Sequence, residues 1–136
     1  MDVGREPFDW VYSQSRGHLY LADSQDVRAH VASGYSGAPR YQNNTESEAL
    51  VSRGPIPRGV WRMEPAFNHG RLGPVAIPLE PVEEKTALGR SGFFIHGDNS
   101  RGDASASFGC IVLDRKTRDL LALGVGQGIR TLVVVD

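Results

Sequence analysis

Apolar and polar positions alternate along most of this chain over runs of four to seven residues, and almost nowhere recur at a helical period. Trp10 to Ser13 and His18 to Ala22 are β-favouring runs around the polar turn Gln14-Ser-Arg-Gly17, which reads as a hairpin. A third run, Val27 to Ala32, leads into a polar segment from Ser33 to Arg53 with too little apolar periodicity for a core. At roughly twenty residues it exceeds ordinary connections, and loops of that length usually carry function. Gly54-Pro-Ile-Pro-Arg-Gly59 is a rigid turn feeding a strand over Val60 to Met63.

The second half repeats the pattern. Pro74 to Leu79 reads as a strand that its prolines confine to a sheet edge or a strand end, with Gly92 to His96 as its partner. A polar stretch from Gly97 to Gly109 separates that partner from the apolar Cys110 to Leu113. Asp114 has the chemistry of a helix N-cap, Arg115 to Leu123 can form about two turns, and Gly124 is a natural stop. Ile129 to Val135 is a β-branched run suited to a central strand. Trp10, Trp61, Phe93 and Phe94 are the aromatic core candidates, and His69 reads as a loop residue. The expectation is a mainly β single domain over residues 1–136 with one short helix after Cys110.

Composition narrows the function classes. With 136 residues there is room for one domain, and Gly 16 plus Pro 8 fits a turn-rich β protein. Lys+Arg 15 against Asp+Glu 16 leaves a net charge of -1, so no basic field exists to hold nucleic acid or an anionic membrane. No apolar run is long enough to span a bilayer, and the N-terminus lacks a secretory signal pattern. His18, His30, His69 and His96 are scattered, which leaves no spacing for a metal site. Neither metal nor cofactor is expected.

The single cysteine, Cys110, is either a packed small hydrophobe or a reagent. Gly109 permits a close backbone approach, Ser107 and the polar loop imply exposure, and a helix starting near Asp114 lends partial positive charge. His96 ends an apolar strand 14 positions earlier, so a strand-end imidazole and a loop-end thiol on neighbouring strands can meet. Asp98 either orients His96 or makes a local turn bond. Arg118, one helical turn beyond Asp114, either reaches a substrate carboxylate or lies solvated on the helix. Tyr35, Ser36 and Asn44 lie in the long loop, where binding and solvation are alternatives.

These residues resemble a known family. Ile95-His96-Gly97-Asp98 followed by Ser107-Phe108-Gly109-Cys110-Ile111 resembles the L,D-transpeptidase signature. The stretch Phe8 to Leu21, Gly34-Tyr-Ser-Gly37, Asn43-Asn44 and Gly-Pro-Ile-Pro-Arg-Gly extend the likeness to the L,D-transpeptidase effectors of type VI secretion. The resemblance implies a β-sandwich catalytic domain with Cys110 as nucleophile, His96 as base, and Ser107, Gly109 and Asp98 around them. Gly97, Phe108, Tyr35, Ser36, Asn44 and Arg118 would line the substrate. Backbone N–H groups of Gly109 and Cys110 would hold the oxyanion.

Phe108 stands where many L,D-transpeptidases carry a second histidine, which leaves His96 as the base. The implied activity is a cysteine L,D-carboxypeptidase or L,D-transpeptidase acting on peptidoglycan stem peptides. The implied partners are a cognate immunity protein and secretion-system components, with delivery into the periplasm of a target bacterium. From another class, a non-catalytic wall- or protein-binding module with a structural Cys110 is the competing expectation.

Overall fold

The computed structural model describes residues 9–22, 28–99 and 107–136. The opening hairpin forms as expected: β1 (Trp10–Ser13) pairs antiparallel with β2 (His18–Ala22), and Gly17 turns with φ +67°. Next come β3 (Arg28–Ser33), the two-residue β4 (Tyr35–Ser36) and β5 (Gly59–Met63). They are followed by β6 (Phe67–His69), β7 (Gly73–Pro81), β8 (Phe93–His96), β9 (Ile111–Val112) and β10 (Thr131–Val135). Among the described residues these form one sheet in the order β3-β2-β1-β10-β5-β7-β8-β9-β4, with β6 paired to β7. The pairs β1–β10 and β8–β9 are parallel.

The end strands β3 and β4 are joined through Gly34, whose N–H donates to the Gly17 carbonyl at 2.7 Å. A β-carbon on Gly34 would lie 2.0 Å from the Val112 carbonyl oxygen, so only glycine lets the chain cross from one end of the sheet to the other. The sheet therefore curls on itself and buries its inner face. Tyr12, Leu19, Trp61, Ile77, Ile95 and Leu132 fill that interior, and β10 lies between β1 and β5 as its β-branched run demands.

Three expectations change. β7 is not confined to an edge: it pairs with β5, β6 and β8 despite Pro74, Pro78 and Pro81. The Pro78 carbonyl accepts from Glu64 N at 2.9 Å, one residue beyond the end of β5. A residue's N–H and C=O point the same way in a strand, so the donor that Pro78 lacks falls where the ladder is already ending. The helix α1 (Arg115–Gly126) runs past Gly124, and Gln127 caps it by donating to Gly124 and Val125. Asp114 precedes it without a side-chain cap bond. Finally, the long segment is not structureless: it holds β4 and a 3-10 turn (Thr45–Ser47).

Candidate active site

His96 ends β8 and Cys110 immediately precedes β9, its parallel neighbour. Register pairs Ile95 with Ile111 and His96 with Val112, so Cys110 lies one step before a pair whose partner His96 lies one step after. Ile95 and Ile111 are both buried in the core, and strand alternation turns Cys110 and His96 to the opposite face. Strand geometry separates their Cα atoms by about 8 Å. The thiol rests against the Gly92 carbonyl at 3.7 Å.

A network of backbone contacts holds the Cys110 loop. Ser107 Oγ donates to the Cys110 carbonyl at 2.6 Å and accepts the N–H groups of Gly37 at 2.9 Å and Gly109 at 3.1 Å. Ser36 Oγ accepts Ile56 N–H at 2.8 Å and donates to the Gly109 carbonyl at 3.0 Å, lashing the proline turn to the loop before Cys110. Asn43 fixes Ser36 in turn, exchanging hydrogen bonds with its backbone. The two buried serines are thus positioning groups, and Ser36 acts on Gly109 from inside the fold. Of the expected pair of oxyanion donors, the Gly109 N–H is already engaged by Ser107.

Arg90 is the cation beneath this loop, and nothing in its sequence neighbourhood marks it. Its guanidinium donates to the carbonyls of Glu48, Pro55 and Gly54 and stands 5.0 Å over the Phe93 ring. A cavity of about 710 Å³ opens beside it, lined by Glu80, Glu84, Lys85, Arg90, Gly92 and Phe93 among others. Gly92 on its wall is also the residue against whose carbonyl the sulfur rests.

His96 is buried, and its Nδ1 lies 2.8 Å from the Gly97 carbonyl. A carbonyl only accepts, so Nδ1 carries the hydrogen and Nε2 keeps its lone pair. Burial pushes this imidazole below its ordinary pKa, opposed by its bond to the Gly97 carbonyl and joined by the charges of Arg118 and Arg71. The Cys110 thiol is pushed up by burial, opposed by the Phe94 N–H and the charges of Arg71 and Arg90. Both shifts favour the uncharged forms, a thiol and a neutral imidazole.

Several expected site residues turn out otherwise. Arg118 is 7% exposed, and its fork is occupied by the carbonyls of Leu113, Pro74 and Val75 at 3.1, 2.7 and 3.2 Å. It neither reaches for a substrate carboxylate nor lies solvated; it ties α1 to β7 and packs where a β-carbon on Gly97 would sit, 2.7 Å from Nη2. Gly97 is therefore needed for this approach. Asp98 is engaged by Tyr35, whose hydroxyl donates at 2.7 Å, and by Asn99 N–H, so it does not orient His96. Asn44 caps the 3-10 turn by accepting Glu46 N–H at 3.1 Å. Phe108, two residues before Cys110, is 56% exposed. Phe94 is only half-buried, its ring against Phe67 and His69 instead of the core. Arg101, a possible cation in the loop between His96 and Cys110, lies outside the described residues. No group of metal-binding side chains occurs among the described residues.

Residues 30–135 match the Tlde1 domain. The chain belongs to the Tlde1 domain family. These are the L,D-transpeptidase effectors of type VI secretion, so the chain is transpeptidase-like and directed at peptidoglycan. It is also similar to the NMR structure of the catalytic domain from E. faecium L,D-transpeptidase, at 16% identity and a TM-score of 0.49, over 97% of this chain and 99% of that one. No curated protein matches. Within this Tlde1 domain, Arg90 escaped the motif, while Asn43, named only as half of the Asn43-Asn44 pair, holds the backbone of Ser36. Asn43 adopts φ 55°, a conformation asparagine tolerates, and its place beside Asn44 is the one signal that was available.

Proposed function

We propose that this chain is a cysteine L,D-carboxypeptidase or L,D-transpeptidase that attacks tetrapeptide stems of peptidoglycan through Cys110. The observation that carries this reading is the shared face of Cys110 and His96 on the parallel pair β8–β9, with Nε2 of His96 free to accept a proton. On substrate binding, Nε2 takes the thiol proton as sulfur attacks the carbonyl carbon of the third residue. The C–S bond forms, the carbonyl electrons move to oxygen, and the Cys110 N–H stabilises the oxyanion. Collapse breaks the C–N bond, and the proton on Nε2 passes to the departing amine of the terminal D-alanine, leaving a thioester.

Water attacking that thioester releases a tripeptide, while an amine attacking it forms a new peptide bond; in both cases Nε2 takes the proton and returns it to sulfur. In a type VI effector, trimming tetrapeptides would remove the donors that wall cross-linking uses. Delivery into a target periplasm and protection by an immunity protein belong to the same proposal. Cys110 is half-buried and sits outside the core cluster, which favours this reading over a binding module with a packed cysteine.

The test is conversion of purified disaccharide tetrapeptide to tripeptide by the wild type, Cys110→Ala, His96→Ala and the double variant. Each single change should lower turnover by at least ~10³-fold, with no further loss in the double variant, because nucleophile and base act as a unit. Retained turnover in Cys110→Ala would refute the mechanism.

A further inference from the structure

The mechanism leaves unassigned the group that recognises the carboxylate beyond the scissile bond, and Arg118 is committed elsewhere. The β6–β7 hairpin supplies another cation. Phe67 pairs with Ala76 and His69 with Gly73, so residues 70–72 form the tip. The tip is built around an imidazole: His69 Nδ1 accepts both the Arg71 N–H at 3.0 Å and the Leu72 N–H at 3.1 Å. Below the tip, Arg118 grips the carbonyls of Pro74 and Val75. The hairpin is thus fastened on both sides of Arg71.

The same hairpin lies over the active-site face of β8. Phe94 is two residues before His96 and so shares its face. Its ring meets His69 at 5.2 Å and Phe67 at 6.2 Å. Arg71 is exposed, and its side chain has no hydrogen-bond or ion-pair partner among the described residues. Its charge nevertheless acts on both His96 and Cys110. An unengaged guanidinium on a hairpin packed over the face that Phe94 shares with His96 is placed to hold an anion there.

We propose that Arg71 is the carboxylate-binding residue of this site, presented to Cys110 by a hairpin tip that His69 holds in shape. The ligand class is a peptide or amino acid with a free C-terminal carboxylate. This deepens the reading of Cys110 as the acyl-forming nucleophile and rests on it. His69 is a positioning residue: an acceptor lost at Nδ1 frees two backbone N–H groups and lets the tip wander.

The experiment reads the folded protein with two thiol reagents of similar size, anionic iodoacetate and neutral iodoacetamide. In Arg71→Ala the iodoacetate/iodoacetamide rate ratio should fall roughly three- to tenfold, with Arg71→Lys intermediate and Arg115→Ala, a distant charge control, unchanged. The difference should shrink at high salt. His69→Ala should lower the ratio in part, and adding it to Arg71→Ala should lower it no further. With substrate, Arg71→Ala should raise KM for the free-acid tetrapeptide about tenfold and leave the C-terminally amidated tetrapeptide unaffected. An unchanged reagent ratio in Arg71→Ala overturns the proposal, as does an equal KM effect on both peptides. Should the wild type turn over neither peptide, the functional reading fails while the reagent ratio still decides the role of Arg71 as an anion-binding group.

Discussion

The guanidinium of Arg90 occupies the space that a β-carbon on Gly109 would need: such a carbon would sit 2.5 Å from Nη2. The guanidinium cannot swing away without breaking its bonds to the Gly54, Pro55 and Glu48 carbonyls. Gly109 also has φ +138°, a conformation that side chains rarely adopt. The residue before Cys110 is therefore constrained twice. Gly109→Ala should cost about 1–3 kcal/mol of stability and most of the activity, measured by urea unfolding alongside tripeptide release.

Arg90 itself should behave as a structural clamp. Arg90→Ala leaves buried carbonyls without donors in the segment that carries the proline turn, and hydrogen bonds from charged groups are worth about 1.5–3 kcal/mol each. We expect a lower urea midpoint and lower activity, with Arg90→Lys restoring only part because an ammonium lacks the planar fork. A variant with full stability but no activity would mean that Arg90 touches substrate instead.

Arg118→Ala should likewise lower stability by about 2–4 kcal/mol, through three abandoned carbonyls and a loosened contact between α1 and β7. In the fraction that stays folded, alkylation by iodoacetate and iodoacetamide should change together. A selective loss of iodoacetate reactivity would return Arg118 to the role of anion binder.

The two titrating groups at the site move in opposite directions. Burial raises the Cys110 thiol, so iodoacetamide should react along a pH profile centred above a free thiol's ~8.5. Arg71→Ala removes an opposing charge and should move it higher still. A profile centred below the free-thiol value would show that a thiolate pre-exists.

His96 gives the complementary stability signature. Its folded pKa is depressed, so the unfolded chain binds a proton more readily than the folded one. The stability it contributes is complete above the unfolded value of ~6.5 and is lost as pH falls through that value toward the folded one. Thermal midpoints measured between pH 7.5 and 5 should drop more steeply for the wild type than for His96→Asn. Parallel slopes would mean that His96 is not buried as described.

The opening hairpin, the β-branched β10 and the pairing of β7 with β8 were legible along the chain, because turn residues and period-two patterning act between neighbours in sequence. That Cys110 and His96 would come to neighbouring strands was legible too, since each closes or opens a short apolar run. The destination of each arginine was not. Arg118 looked like a helix-face cation, yet its partners Pro74 and Val75 are 44 and 43 positions away. Arg90 answers carbonyls 35 to 42 positions away. Asp98 stood near His96 in sequence and was claimed by Tyr35, 63 positions away. A long polar side chain bonds to whichever carbonyls or carboxylates the fold leaves unpaired within its reach. Only the closure of the sheet through Gly34 and the bend of the β6–β7 hairpin decide which those are, and that closure leaves Arg71 as the cation unengaged among the described residues near the thiol.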